Sequence, residues 1–72
     1  MVTHLLTVEG MTCGHCVQRV TDALTKVAGV RAAEVSLESR TARVEHADET
    51  GVGALLAAVR GAGFEVSGFH RA

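Results

Sequence analysis

Residues 30–46 read VRAAEVSLESRTARVEH, and this stretch decides the fold. Ala33, Val35 and Leu37 alternate with other residues, and Ala42 and Val44 alternate again after Glu38-Ser39-Arg40. A period of two marks a strand with one buried face. Two such strands joined by a short polar turn make an antiparallel hairpin, one arm over 30–38 and the other over 41–46. On either side of the hairpin the period changes to that of a helix. Upstream, Val17, Val20, Leu24 and Val27 form an apolar stripe over 14–28, with Gly29 placed as a C-terminal cap. Downstream, Val52, Leu55, Leu56 and Val59 form a second stripe over 50–60. Asp48 or Thr50 is placed to cap that helix at its start, and Gly61 or Gly63 at its end. Gly51 and Gly53 weaken its first turn.

Two outer strands complete the pattern. Residues 2–9 (VTHLLTVE) put Leu6 and Val8 on one face, and 64–69 (FEVSGF) carry Gly68 where a bulge is expected. The order is βαββαβ. Right-handed crossovers then place both helices on one face of a four-stranded antiparallel sheet of strand order 4-1-3-2. This is a ferredoxin-like α+β sandwich, and 72 residues make it a single domain spanning 1–72.

Composition narrows the function. The chain is 47% hydrophobic and 21% charged, which is enough to fold, but only 3% aromatic, so Val, Leu and Ala must build the core. Seven basic and eight acidic residues give a net charge of -1, which argues against a nucleic-acid binder. No apolar run approaches the ~20 residues that span a bilayer. The opening Met1-Val2-Thr3-His4 lacks a basic stretch followed by an apolar run, so no signal peptide is expected. The start at Met1 and the short tail after Phe69 read as a free-standing protein. The size leaves little room for a deep catalytic pocket and points to a carrier, binding or redox module, not an enzyme.

The only two cysteines lie in Gly10-Met11-Thr12-Cys13-Gly14-His15-Cys16, between the first strand and the first helix. A bridge between them would close too small a loop to stabilise the fold. Their position is better suited to chemistry. The first helical turn offers unpaired N–H groups and the positive end of the helix dipole. Both favour thiolate over thiol and lower the pKa from the free value of about 8.5. Two thiolates suit a soft ion content with two ligands, which favours Cu(I). Zinc normally takes four ligands, and this loop offers two plus His15.

The motif GMTCGHC after a first strand, in a βαββαβ chain of this length with Gly63-Phe64 opening the last strand, resembles the heavy-metal-associated domain family. The resemblance covers nearly the whole chain. It implies that Cys13 and Cys16 bind one Cu(I), that Met11 packs beneath the loop, and that Phe64 sits beside the metal. It also implies a cytoplasmic copper chaperone that passes its ion by thiolate exchange to the metal-binding domain of a copper-transporting P-type ATPase. Cys13 is expected to be the more exposed thiol and to lead the exchange, with Cys16 retaining the ion. A copper-bridged homodimer is compatible with an exposed pair of thiolates. The first alternative is an N-terminal domain of such an ATPase, since Phe at position 64 also occurs there. Mercury and zinc carriers are further alternatives. Zinc-transporting relatives commonly carry Asp where this chain has Thr12, and mercury carriers are usually exported.

Cys-Gly-His-Cys is also the active-site tetrapeptide of disulfide isomerases. A thiol-disulfide oxidoreductase of that kind needs a longer chain, an aromatic residue before the first cysteine and a proline facing the disulfide. This chain has Thr12 and no Pro. His15 reads as an exposed loop residue with a tuning or ligating role as the alternative. His4, His46 and His70 fall at the strand ends opposite the cysteines. Each has the parity of its strand's core residues, so a shared second metal site there is the sharper reading and solvated rim residues the plainer one. Arg19 and Lys26 lie on the outer side of the first helix, where with Asp22 they make a mixed face.

Overall fold

The computed structural model describes residues 2–72. Six elements follow in order: β1 (Val2–Glu9), α1 (Gly14–Thr25), β2 (Val30–Ser36), β3 (Thr41–His46), α2 (Val52–Gly61) and β4 (Glu65–Arg71). They form one sheet of order β2-β3-β1-β4 with all pairs antiparallel, which is the 4-1-3-2 arrangement expected of a ferredoxin-like sandwich.

The core is aliphatic. Leu6 and Val8 from β1, Ala42 and Val44 from β3, Val20 and Leu24 from α1, and Leu55 and Val59 from α2 are fully buried, with Met11 and Phe64 closing one end. Val17 on α1, Val27 just beyond the end of that helix, and Val52 and Leu56 on α2 pack against this cluster from its rim. The helical stripes and strand alternations therefore name the buried faces correctly.

The boundaries differ in instructive ways. Helix α1 stops at Thr25, three residues early. Val27 bonds back to Leu24 and Val30 to Val27, so the chain leaves the helix through tight turns, and Gly29, at φ +91°, serves the entry to β2. Strand β2 ends at Ser36. Leu37 belongs to the turn and is half-exposed, because Ser36 and Thr41 pair and leave 37–40 as the loop. Ser36 Oγ accepts the Ser39 N–H there, and the Ser39 and Thr41 hydroxyls meet at 2.7 Å. Neither Asp48 nor Thr50 caps α2; Gly51 occupies that place, and the Thr50 hydroxyl instead donates to the Ala28 carbonyl at 3.0 Å.

The C-terminus of α2 carries a clear stop. Phe64 N–H reaches back to the Val59 carbonyl and Gly63 N–H to that of Arg60, with Gly63 at φ +97°. This pair of bonds is the Schellman arrangement, which needs a residue tolerant of positive φ. Strand β4 begins just after it and runs two residues beyond expectation. Val66 faces Val8, but Gly68 faces Thr7, so Ser67 is an extra residue without a partner on β1. A bulge of this kind exchanges the faces of everything beyond it.

Candidate metal centre

Cys13 is the N-cap residue of α1, in extended conformation, and its carbonyl accepts the N–H groups of Cys16 (3.0 Å) and Val17 (3.3 Å). No side chain caps this helix start, and its first turn holds no acidic residue. The positive end of the helix therefore faces the cysteine loop uncompensated. Both cysteines are free thiols, Cys13 exposed and Cys16 partly covered, as expected from loop against first turn.

The two sulfurs are 3.7 Å apart. A disulfide needs about 2.05 Å, so they are not bonded. Metal–sulfur bonds of about 2.3 Å across that gap would meet at roughly 107°, bent well short of a straight line. An ion held so keeps an open side toward solvent. The Thr12 hydroxyl lies 3.9 Å from Cys16 Sγ. Backbone hydrogen bonding at Thr12, then the Cys13 thiol and the Thr12 hydroxyl, hold the Cys16 thiol below its ordinary value near 9.0. Thr12 is thus a contributor that the spacing of the cysteines alone does not reveal. Thr12 precedes the N-cap residue Cys13, so this contact comes from the path of the loop and leaves no helical period in the sequence.

The loop rests on a firm floor. Gly10 turns the chain at φ +96°, and a Cβ there would stand 3.5 Å from the Phe64 ring. Phe64 and Met11 are both buried, at 7% and 8% exposure, and belong to the hydrophobic core. Arg19, on the exposed side of α1, holds its guanidinium carbon 6.0 Å from the Phe64 ring centroid, within cation–π range. His15 is exposed, as are Asp22 and Lys26.

At the opposite end of the sheet the histidines divide. His46 is buried at 2% exposure and its Nε2 lies 2.8 Å from Nδ1 of His4. His70 does not join them. The Ser67 bulge turns it to the uncovered face opposite Leu5 and sets Arg71 opposite His4. Unbroken alternation along β4 would put His70 on the face of Val66; the extra residue Ser67 reverses it. Among the described residues, no group of three or more His, Cys, Asp and Glu side chains could hold a metal together. Among the same residues, no helix is long and apolar enough to cross a membrane.

Two free thiols at a strand–helix junction of a ferredoxin-like sandwich place the chain among small metal-carrier domains. Residues 5–65 match the heavy-metal-associated domain, and the chain belongs to that family of metal-binding carriers, which are not enzymes. It is 48% identical over 67 residues to copper-transporting ATPase 2 of Rhizobium meliloti (strain 1021), covering 92% of this chain but 8% of the ATPase. It is 39% identical over 67 residues to the copper chaperone CopZ of Staphylococcus aureus (strain bovine RF122 / ET3-1), covering 92% of this chain and 98% of the chaperone. A solved CopZ metallochaperone superimposes with a TM-score of 0.86 at 37% identity, covering 89% of this chain and 97% of that one.

Proposed function

We propose that the chain is a cytoplasmic copper carrier that binds one Cu(I) through Cys13 and Cys16 and delivers it to the Cys-x-x-Cys domain of a copper-transporting ATPase. The observation that carries this reading is the pair of free, accessible sulfurs 3.7 Å apart at an uncapped helix start. Sulfur donors select a soft ion. Relatives named as a copper chaperone and a copper-transporting ATPase support copper as the cargo and the ATPase as the partner. A reducing compartment keeps such thiols available, which suits the cytoplasm.

Transfer follows from low coordination. A thiolate of the partner bonds to copper on its open side. The bond to Cys13 Sγ then breaks, and Cys13 leaves as a thiolate that can take up the proton lost by the incoming thiol. Cys16, partly covered, releases last. Each step exchanges one sulfur for another, so tight binding does not require slow release. The same open side lets copper bridge two copies of this chain. A second reading, a metal-binding domain within an ATPase, is favoured by the 48% identity to that relative against 39% to the chaperone. It uses the same site and the same chemistry.

Anaerobic Cu(I) titration against a competing chelator, followed by copper-edge X-ray absorption, tests the site. One equivalent in a shell of two or three sulfurs supports it. A shell of nitrogen and oxygen, or preferential retention of Zn(II), overturns it. Mixing the loaded protein with an isolated ATPase metal-binding domain tests the delivery. Copper that stays behind would refute the carrier role.

A further inference from the structure

The imidazole pair at the far end of the sheet has the makings of a site of its own. His46 closes β3, and its Nδ1 lies 2.9 Å from the Ala47 carbonyl, to which it can only donate. That bond fixes the proton on Nδ1 and leaves a lone pair on Nε2. A backbone carbonyl behind one ring nitrogen is also the usual orienting partner of a metal-binding histidine. The Nε2 lone pair is aimed at His4 Nδ1, 2.8 Å away. The ring planes differ by 19° and the centroids are 5.0 Å apart. Rings touching nitrogen to nitrogen at 2.8 Å reach that separation only when they lie nearly end to end. The two nitrogens therefore face each other almost in line, with one proton between them.

We propose that His4 and His46 form a second metal site, in which a monovalent soft ion, Cu(I), replaces the shared proton between the two nitrogens. Three observations select this ion over a divalent one. First, there are two donors, and no third His, Cys, Asp or Glu among the described residues completes a set with them. Zinc in a protein takes four ligands, whereas a two-coordinate ion is satisfied by two in-line nitrogens. Second, Arg71 stands opposite His4 on β4, so each added positive charge meets repulsion, and a monovalent ion meets less of it. Third, the nitrogens lie along one line, as the proton requires and as a linear ion also requires.

The exchange balances. Cu(I) forms one bond to His46 Nε2 and one to His4 Nδ1. The proton leaving His4 Nδ1 is taken up at its own Nε2 through solvent, both rings stay neutral, and the site gains one charge. Two metal–nitrogen bonds of ~2 Å span ~4 Å in line, so the pair must open by about 1 Å. His46 is held by its packing and by Ala47, so the opening falls on the half-buried ring of His4 and not on its strand, which is paired on both sides.

The proposal does not depend on the cysteines, and its test removes them. The Cys13→Ser, Cys16→Ser double variant is titrated anaerobically with Cu(I) while the histidine ring resonances are followed. The expected result is one equivalent bound, a copper edge showing two nitrogens, and His4 and His46 signals shifting together while those of His15 and His70 stay in place. Adding His4→Gln, at a half-buried position that keeps the fold by circular dichroism, should abolish this equivalent. Absence of binding in the double variant overturns the proposal, and so does binding that survives His4→Gln. Zn(II) bound at the same two rings as firmly as Cu(I) overturns the choice of a monovalent ion. None of these outcomes depends on whether the intact protein loads copper through sulfur.

Discussion

The sulfur end and the imidazole end of this sheet each bring two side chains together, and they hold them in opposite ways. Cys13 and Cys16 lie on a loop and a first helical turn, exposed or partly covered, with hydroxyl and sulfur neighbours 3.7–3.9 Å away. His4 and His46 project from two neighbouring strands of the sheet, with His46 buried and both of its nitrogens engaged at 2.8 and 2.9 Å. The difference teaches where exchange is easy. A donor on a loop can follow an ion toward a partner, whereas a donor rooted in a sheet and tied at its far nitrogen can only wait for one.

The largest expected effect separates the two ends cleanly. Cys13→Ser and Cys16→Ser should each eliminate the copper–sulfur site, and the exposed Cys13→Ser should leave stability within the ~0.5 kcal/mol typical of surface changes. If Cys13→Ser and Cys16→Ser slow transfer to an ATPase domain equally, the division into a leading and a retaining cysteine is wrong. Next come the two glycines with positive φ that follow the helices. Gly63→Ala, near the sulfur end, meets open space and should cost about 1–2 kcal/mol from backbone strain alone. Gly29→Ala also drives a methyl group into the Thr50 hydroxyl, which is bonded to Ala28, so a larger loss of about 3 kcal/mol is expected by denaturant unfolding. Equal losses would show that the loop around Thr50 yields easily.

Acidification probes the imidazole end. Partial burial, then the His46 ring and Arg71, push His4 below its ordinary value near 6.5. The unfolded chain therefore takes up a proton on His4 that the folded chain resists. The contribution is complete above pH 6.5 and is lost as the pH falls toward the lowered folded value. The melting temperature of the metal-free protein should drop over that range, and His4→Gln should flatten the drop. A drop unchanged in His4→Gln would assign it to other groups. The smallest effect belongs to Thr12→Val. Removing its hydroxyl should raise the Cys16 thiol part of the way back toward 9.0, visible as a later rise of thiolate absorbance in a pH titration. The main-chain bond at Thr12 remains, so the return is incomplete.

Strand alternation and helical stripes made the sheet order and the buried faces legible, because burial leaves a period in the sequence. Cys13 and Cys16 were legible for a similar reason, since their spacing and their junction are both local. What escaped depended on contacts distant in sequence or on single-residue slips. Thr50 looked like a cap because its local setting favours one, yet its hydroxyl found Ala28, 22 residues away. Leu37 followed the alternation of β2, but the register of Ser36 with Thr41 had already closed the strand. A glycine within a strand, Gly68, signals the bulge beside it. The change of face at His70 stays hidden, because a bulge is local in sequence while its effect reaches everything beyond it.

The turn that ends α2 also has a mechanical meaning. Phe64 donates its N–H to Val59 inside that helix, while its ring lies under Gly10 and beside Arg19 of α1. One residue thus joins the last turn of one helix to the floor of the thiol loop and to the flank of the other helix. Opening of these parts should be a single cooperative event rather than three independent ones. The amide hydrogens of Phe64, Cys16 and Val17 should then exchange with solvent at a common free energy. A change that frays the end of α2 should lower all three together, although it touches neither sulfur.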